Sequence, residues 1–536
     1  MRKMMHWMPV AILICSLMTT GLCSCSEDNP SGSGSDYTYD YEYDLSDLTF
    51  LESGEFSVVD ILWDIFDDHS DMDSEEDRLY AEWADEQLKI LLSDEYMSRR
   101  RAGTEGEYED EWGFRFDDRL KYVTIRYKTT GANGEEKELS ELIAFDAKAG
   151  SDETKNPQNM IIGCHATITS NAERPTNIKN LDIRTDVGIL SLLSCDRKAV
   201  VVIPDYEGYG ATSSDPHPYC SREITAKQMI DGAKAAVAWF EENVTKMPSG
   251  WKSVTVGYSQ GGAVAASVLE YYHAHNEKGL NIIGAVCGDG PYDPLATLKK
   301  YIEDDRLYMP VSSALLLKGM VDTNKGMMAL GCTYQDFVTD KFYATGIFDW
   351  LQSKEFTTDD IHNKLLDHSA KNGGEMGFTM MVMNDNEFKA YTPENIKETP
   401  NNWKLRSGQG ENYCTVDQCL KPGVIEYFKS GQITGEVSEA KLKALEQALK
   451  ENSLTYDGWM PSGAFPHGFY FFHALHDEVV PLCNYESVKN AWGTNLFMGE
   501  PTNYDWHVTS GGIFYIFYAL RVVKDFFDEK WEPGEK

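Results

Sequence analysis

The chain has 536 residues, with 86 Asp and Glu against 49 Lys and Arg, giving a formal charge of -37. So strong a negative balance repels phosphate backbones and anionic lipid surfaces, which argues against nucleic acid as a partner. The length exceeds what one hydrophobic core needs, so a main domain with a large insertion is expected, on an otherwise ordinary balance of 42% hydrophobic and 25% charged residues.

The chain opens on Met1-Arg2-Lys3, and an apolar run follows from Val10 to Met18. The run is too short to cross a bilayer and has the shape of a secretory signal. It ends in Leu22-Cys23-Ser24-Cys25, which resembles a bacterial lipobox, with Cys25 as the acylated first residue of the mature chain. Residues 1–24 are therefore read as a lipoprotein signal peptide. The acidic Ser26-Glu27-Asp28 resembles the surface-export signals of Bacteroidetes lipoproteins, so the chain is expected on the outer membrane, facing outward through a lipid anchor. Residues 25–55, with Ser-Gly repeats and alternating Asp and Tyr, read as an acidic tether. Residues 56–117 read as an acidic helical segment, whose apolar face includes Val58, Ile61, Leu62 and Ile65.

From Lys121 the pattern changes to strands. Lys121–Thr129 alternates, Gly131-Ala132-Asn133-Gly134 signals a turn, and Leu139–Phe145 returns as the second arm of a hairpin. Short apolar runs at Met160–Gly163, Ala199–Ile203, Ser253–Val256 and Ile282–Cys287 read as buried parallel strands, with Ala226–Phe240 as an intervening helix. Alternation of this kind predicts an α/β class, a mostly parallel sheet covered by helices on both faces. Residues 295–462 read as helical, and strand signals resume at Gly468–His473 and Asn495–Met498. The reading is a core over 118–294 and 463–536, with residues 295–462 inserted as a helical cap.

The chemistry concentrates at three places. Gly257-Tyr258-Ser259-Gln260-Gly261 follows a predicted strand and precedes a predicted helix, Ala263–Tyr272. A nucleophilic serine needs such a turn: it projects the hydroxyl, the glycines let strand and helix pass closely, and backbone N–H groups face the reacting oxygen. Asp477 lies in a turn after a predicted strand and before Val479-Val480-Pro481, with Glu478 as the rival acid. His507 follows the presumed last strand and precedes the helix Ile513–Phe527. The order Ser259, Asp477, His507 is the one expected of an α/β-hydrolase. His473 and His476 sit within the acid's own turn and read as structural. The oxyanion donors are expected from the backbone N–H of Gln260 and from the turn His165-Ala166-Thr167, with Thr167 first and Ala166 second. Nothing in the pattern calls for a cofactor. The cysteines lack the paired spacing of a zinc site, although Cys414 and Cys419 are close enough for a small loop bridge.

Five stretches in order resemble the secretory lipase family of α/β-hydrolases: Tyr127–Gly134, Ile203–Gly208, Asp231–Ala236, Gly257–Gly262 and Gly288–Asp293. The resemblance implies a helical lid and hydrolysis of acyl esters. The substrates expected of such an enzyme are acyl lipids, small esters, or ester groups on polysaccharides, the last suited to a surface anchor. The chain departs from it at His165-Ala166-Thr167, where a His-Gly or Gly-rich turn is usual. Asp205 and Tyr206 are expected to shape their loop, with lining the site as the alternative. A prolyl-oligopeptidase-like peptidase would need a repeat-built propeller, and no repeated period precedes residue 120. A non-catalytic capture protein would tolerate a broken triad, and all three members are present.

Overall fold

The computed structural model describes residues 44–57, 118–181, 185–372, 377–384, 387–392, 412–461, 468–493, 502–505, 507–508 and 512–528. In chain order the first strands are β1 (Thr49–Ser57), β2 (Arg119–Thr130), β3 (Glu136–Asp146), β4 (Asn159–Cys164), β5 (Ala199–Pro204), β6 (Ser253–Tyr258) and β7 (Ile282–Gly288). The helices among them are α1 (Asp186–Asp196), α2 (Arg222–Asn243) and α3 (Gln260–Ala274). After β7 come α4 (Pro294–Asp304), α5 (Pro310–Thr323), α6 (Thr358–Asn372), β8 (Met381–Asn384), β9 (Glu387–Ala390), β10 (Asn412–Tyr413), α7 (Pro422–Ser430) and α8 (Glu439–Glu451). The chain closes with β11 (Gly468–Phe472), β12 (Ala474–His476), α9 (Cys483–Trp492), β13 (Thr502–Asp505) and α10 (Gly512–Phe527).

Eight strands form one sheet in the order β1-β2-β3-β5-β4-β6-β7-β11. The pairs from β1 to β5 are antiparallel, and those from β5 through β4, β6 and β7 to β11 are parallel. Period-two alternation divides the side chains between two cores. Met160, Ile162, Val200 and Val202 pack with α2 and α3 on one face. Ile161, Val201, Ile203, Val254 and Val256 pack on the other, with Val187 and Leu193 of α1 and Val522, Val523 and Phe526 of α10. Both faces are covered, which is why these strands read as unbroken apolar runs rather than alternating ones. The fold is that of an α/β-hydrolase.

Three expectations change. The tether ends before residue 55, because Thr49–Ser57 is the edge strand β1, paired antiparallel to β2 from Thr49 opposite Arg126 to Ser57 opposite Arg119. Phe56 and Ser57 are therefore strand rather than helix, and the rest of the segment up to residue 117 lies outside the described residues. The segment between β7 and β11 is not wholly helical: it holds a three-stranded sheet in the order β10-β8-β9. The strand expected at Asn495–Met498 lies outside the described residues, and the strand before His507 is β13.

The insertion packs around its own cluster, including Val311, Phe337, Phe342, Ile361, Phe378, Leu442 and Leu445, which is joined from the core loop by Tyr219 and Cys220. Within it Cys414 and Cys419 are both buried thiols with Sγ atoms 3.3 Å apart. No helix of the described residues is long and apolar enough to cross a membrane.

Candidate active site

Strand β6 ends at Tyr258 and α3 begins at Gln260, so Ser259 alone makes the turn. Its φ of 56° and ψ of -123° lie where a non-glycine residue is strained, at a cost of about 1–3 kcal/mol. The turn survives because its surroundings over-determine it. The Ser259 N–H donates to the Gly288 carbonyl at 2.9 Å, and the Gly257 N–H donates to the Tyr515 hydroxyl at 3.0 Å. A Cβ on Gly261 would lie 2.0 Å from the Cys164 carbonyl oxygen, and one on Gly257 would lie 2.2 Å from that of Gly261. Backbone is what blocks both positions, so neither contact relaxes by turning a side chain. Gly261→Ala is expected to lower stability by about 3 kcal/mol, the upper end of overpacking costs; a urea midpoint equal to wild type would contradict this close approach.

The acid and the imidazole arrive through a second, smaller pairing. Strands β12 and β13 run parallel, with His476 opposite Asp505. Asp477 immediately follows the first, and His507 lies just beyond the second. The Asp477 Oδ1 accepts the N–H groups of Val479 at 2.9 Å and Val480 at 2.6 Å, leaving Oδ2 for His507 Nδ1 at 2.6 Å. His507 Nε2 lies 2.8 Å from Ser259 Oγ. A carboxylate only accepts, so Nδ1 carries the proton of the neutral ring and Nε2 presents its lone pair to the serine hydroxyl. The structure thus brings Ser259, His507 and Asp477 into one line.

Glu478, the rival acid, does not reach the ring; its Oε2 accepts the backbone N–H of His507 at 3.0 Å. Burial, then the neighbouring Asp477 charge, push its carboxyl up to about 8. His473 is buried with Nε2 2.9 Å from the Val480 carbonyl, and His476 is exposed, so neither enters the line.

Two residues that sequence reasoning passed over complete the surroundings. Asp289 follows β7 and is fully buried; its Oδ1 accepts the Ala474 N–H at 2.8 Å. Tyr258 sets its ring beside His507, tilted by 30° at 5.1 Å, and its hydroxyl stands 2.6 Å from Asp289 Oδ2 and 2.7 Å from the His507 carbonyl. One phenolic proton cannot serve both oxygens. The contact with Asp289 is the shorter, so the phenol donates to that carboxylate. Burial first, then Asp477, raise the Asp289 carboxyl to about 6. The only signal in the sequence was the Gly288–Asp293 stretch, which carried no assigned role. Asp289, Asp477 and His507 also bring three potential metal-ligand atoms within 4.8 Å of one another, but the atoms joining His507 and Asp477 are already spent on each other.

At His507 burial opposes the charge, but Asp477 through its charge and hydrogen bond, then Asp289 and Glu478, raise the imidazole to about 9. A base must be unprotonated, so the rate of a reaction using this imidazole rises with pH, about tenfold per unit below the midpoint. A pH profile of kcat/KM is expected to climb through neutrality and level near pH 9. Asp289→Asn removes a neighbouring negative charge and is expected to move that midpoint to lower pH; an unmoved profile would contradict the coupling.

The oxyanion candidates are placed unequally. Gln260 opens α3, where the first N–H groups have no carbonyl inside the helix. The Ala166 N–H is taken by the Asp186 carboxylate, so Ala166, the second choice, has no N–H to offer. Among the described residues the Thr167 N–H has no hydrogen-bond partner, while its hydroxyl pairs with Tyr219 at 2.9 Å. His165 holds the turn, with Nδ1 2.7 Å from the Ala166 carbonyl and its ring stacked on Tyr206 at 3.9 Å. Asp205 is buried and accepts from Thr176 and Ser140, a loop-shaping role as expected.

Among solved structures, the ligand-bound form of the rice cell wall degrading esterase LipA from Xanthomonas oryzae is similar, at 19% identity and a TM-score of 0.55 over 77% of this chain and 92% of that one. A candidate hydrolase from Legionella pneumophila is similar at 15% identity and a TM-score of 0.52, over 77% of this chain and 89% of that one. At such identities the likeness establishes the α/β-hydrolase fold. No family model matches the chain, and no curated protein does.

Proposed function

We propose that this chain is a serine carboxylic-ester hydrolase of the lipase or esterase kind, acting through an acyl-enzyme on Ser259. The observation that carries this reading is the unbroken line from Ser259 Oγ through His507 to Asp477 at an elbow between strand and helix. Ser259 Oγ attacks the ester carbonyl while His507 Nε2 takes its proton. Asp477 holds the tautomer and stabilises the imidazolium. The N–H groups of Gln260 and Thr167 receive the developing oxyanion, a contribution of about 3–4 kcal/mol per donor lost. The imidazolium then protonates the departing alkoxide, and water repeats the sequence to release the acid.

The secretory lipase resemblance belongs to this reading, as does the insertion serving as a lid. So do export through residues 1–24 and anchoring through Cys25, which lie outside the described residues. The anchor would present the enzyme to lipid, glycan or small-molecule esters at the cell surface.

A fluorophosphonate reacts with a serine only where a base activates it. The expected result is one phosphonyl adduct, on the peptide carrying Ser259, with hydrolysis of a short-chain nitrophenyl ester falling in step with labelling. An adduct elsewhere, or full activity after complete labelling, would defeat the reading. Mass spectrometry of the mature N-terminus tests the anchor; an unacylated terminus would end it.

A further inference from the structure

The loop over residues 205–221 joins β5 to α2 and contributes none of the three residues in the line, yet it touches both residues assigned above as oxyanion donors. His217 is buried, and its Nδ1 lies 2.7 Å from the Glu207 carbonyl oxygen. A carbonyl only accepts, so Nδ1 bears the proton and Nε2 a lone pair. That lone pair receives the Gln260 side-chain amide, Nε2 to Nε2 at 3.0 Å. Reversing the Gln260 amide would set its oxygen against that lone pair, so the Glu207 carbonyl fixes the tautomer and the tautomer fixes the glutamine.

Two residues further on, the Tyr219 hydroxyl meets Thr167 Oγ1 at 2.9 Å. The rings continue the link. Tyr206 stacks on His165 on one side and lies parallel to His217 on the other, at 6.1 Å, and its hydroxyl donates to the His165 carbonyl at 3.1 Å. From the insertion, buried Lys354 donates to the carbonyls of Gly208, Ser213 and Asp215, holding the loop from its far side. Gly208 has a φ of 98°, and a Cβ there would lie 2.7 Å from the His217 backbone, so the loop folds tightly back behind the elbow.

We propose that this loop is the positioning element of the oxyanion site, with His217 setting Gln260 and Tyr219 setting Thr167. The inference rests on the esterase reading, since it concerns how that reading's two donors are aimed. Donors aimed at a developing charge lose their value when displaced by a fraction of an ångström, because the transition state alone needs them. Loss of aim therefore falls on kcat and spares KM.

The test is a double-mutant cycle on the full chain, with p-nitrophenyl butyrate as substrate and fluorophosphonate labelling as a check on Ser259. His217→Asn keeps an amide N–H for the Glu207 carbonyl, but its shorter side chain places no acceptor where the ring Nε2 meets Gln260. His217→Asn and Gln260→Ala are each expected to lower kcat by about 10–100-fold with KM within about twofold. The double variant is expected to fall no further than the worse single one. Losses that multiply in the double variant, losses carried by KM, or an unchanged kcat in His217→Asn would overturn the proposal. Should His217→Asn fail to fold, the same cycle on Tyr219→Phe and Thr167→Val decides it by the same criteria. A wild-type chain that neither hydrolyses the ester nor takes the label would defeat the esterase reading and this inference together. A labelled wild type with independent losses defeats only this inference.

Discussion

Replacing Ser259 with alanine is expected to lower kcat for a short-chain nitrophenyl ester by about a million-fold, the scale at which loss of a serine nucleophile removes all cooperative work of its partners. The change deletes one oxygen from a turn that stays fixed by the Gly288 carbonyl and the Tyr515 hydroxyl. The fold should therefore survive, and the loss should be one of chemistry. His507 would keep its bond to Asp477 with no hydroxyl to deprotonate. Residual turnover about 10³–10⁴-fold above water would remain from the oxyanion donors and substrate binding. Steady-state kinetics beside a urea unfolding curve check both halves. Undiminished hydrolysis in a folded Ser259→Ala protein would move the chemistry elsewhere on the chain.

Asp477→Asn is expected to cost about ten-thousand-fold in kcat, and the hydrogen bonds say why. Asp477 Oδ1 accepts two backbone N–H groups, from Val479 and Val480. An asparagine keeps that arrangement only by placing its carbonyl oxygen there, which turns its NH₂ toward His507 Nδ1. The ring must then accept at Nδ1 and carry its proton on Nε2, where it faces the serine hydroxyl as a donor and no longer serves as a base. Glu478→Gln is the contrast. Among the described residues its oxygen meets only the His507 backbone N–H, which a glutamine carbonyl accepts equally well, so less than about tenfold is expected. Kinetics of the two variants side by side separate them; a larger loss for Glu478→Gln would reverse the assignment of the acid.

Both predictions draw on residues that local sequence made readable. Ser259 was marked by the strand before it and the helix after it, and the apolar runs of β4 to β7 are continuous because both faces of those strands are buried. Asp477 and His507 were legible from their order and from the strand signal at Gly468–His473. Less readable was whatever depends on a distant partner. Thr49–Ser57 is acidic and lacks clean alternation; it is a strand because β2 offers it an edge. The strands β8 to β10 are two to four residues long, too short to impose a period on a helical stretch.

By itself the sequence determined the layered α/β architecture, the elbow serine and the two stretches that supply the acid and the imidazole, because periodicity and turn chemistry are encoded within a few residues of each site. Tertiary structure alone decided which polar groups meet: that Asp477 and not Glu478 faces the ring, that Asp186 occupies the Ala166 N–H, and that the Tyr258 hydroxyl stands against both Asp289 and the His507 carbonyl. These are contacts between groups 20 to 249 residues apart. Hydrogen bonds are decided within a few tenths of an ångström, and distances that fine are set by how separate elements pack, which no local pattern specifies.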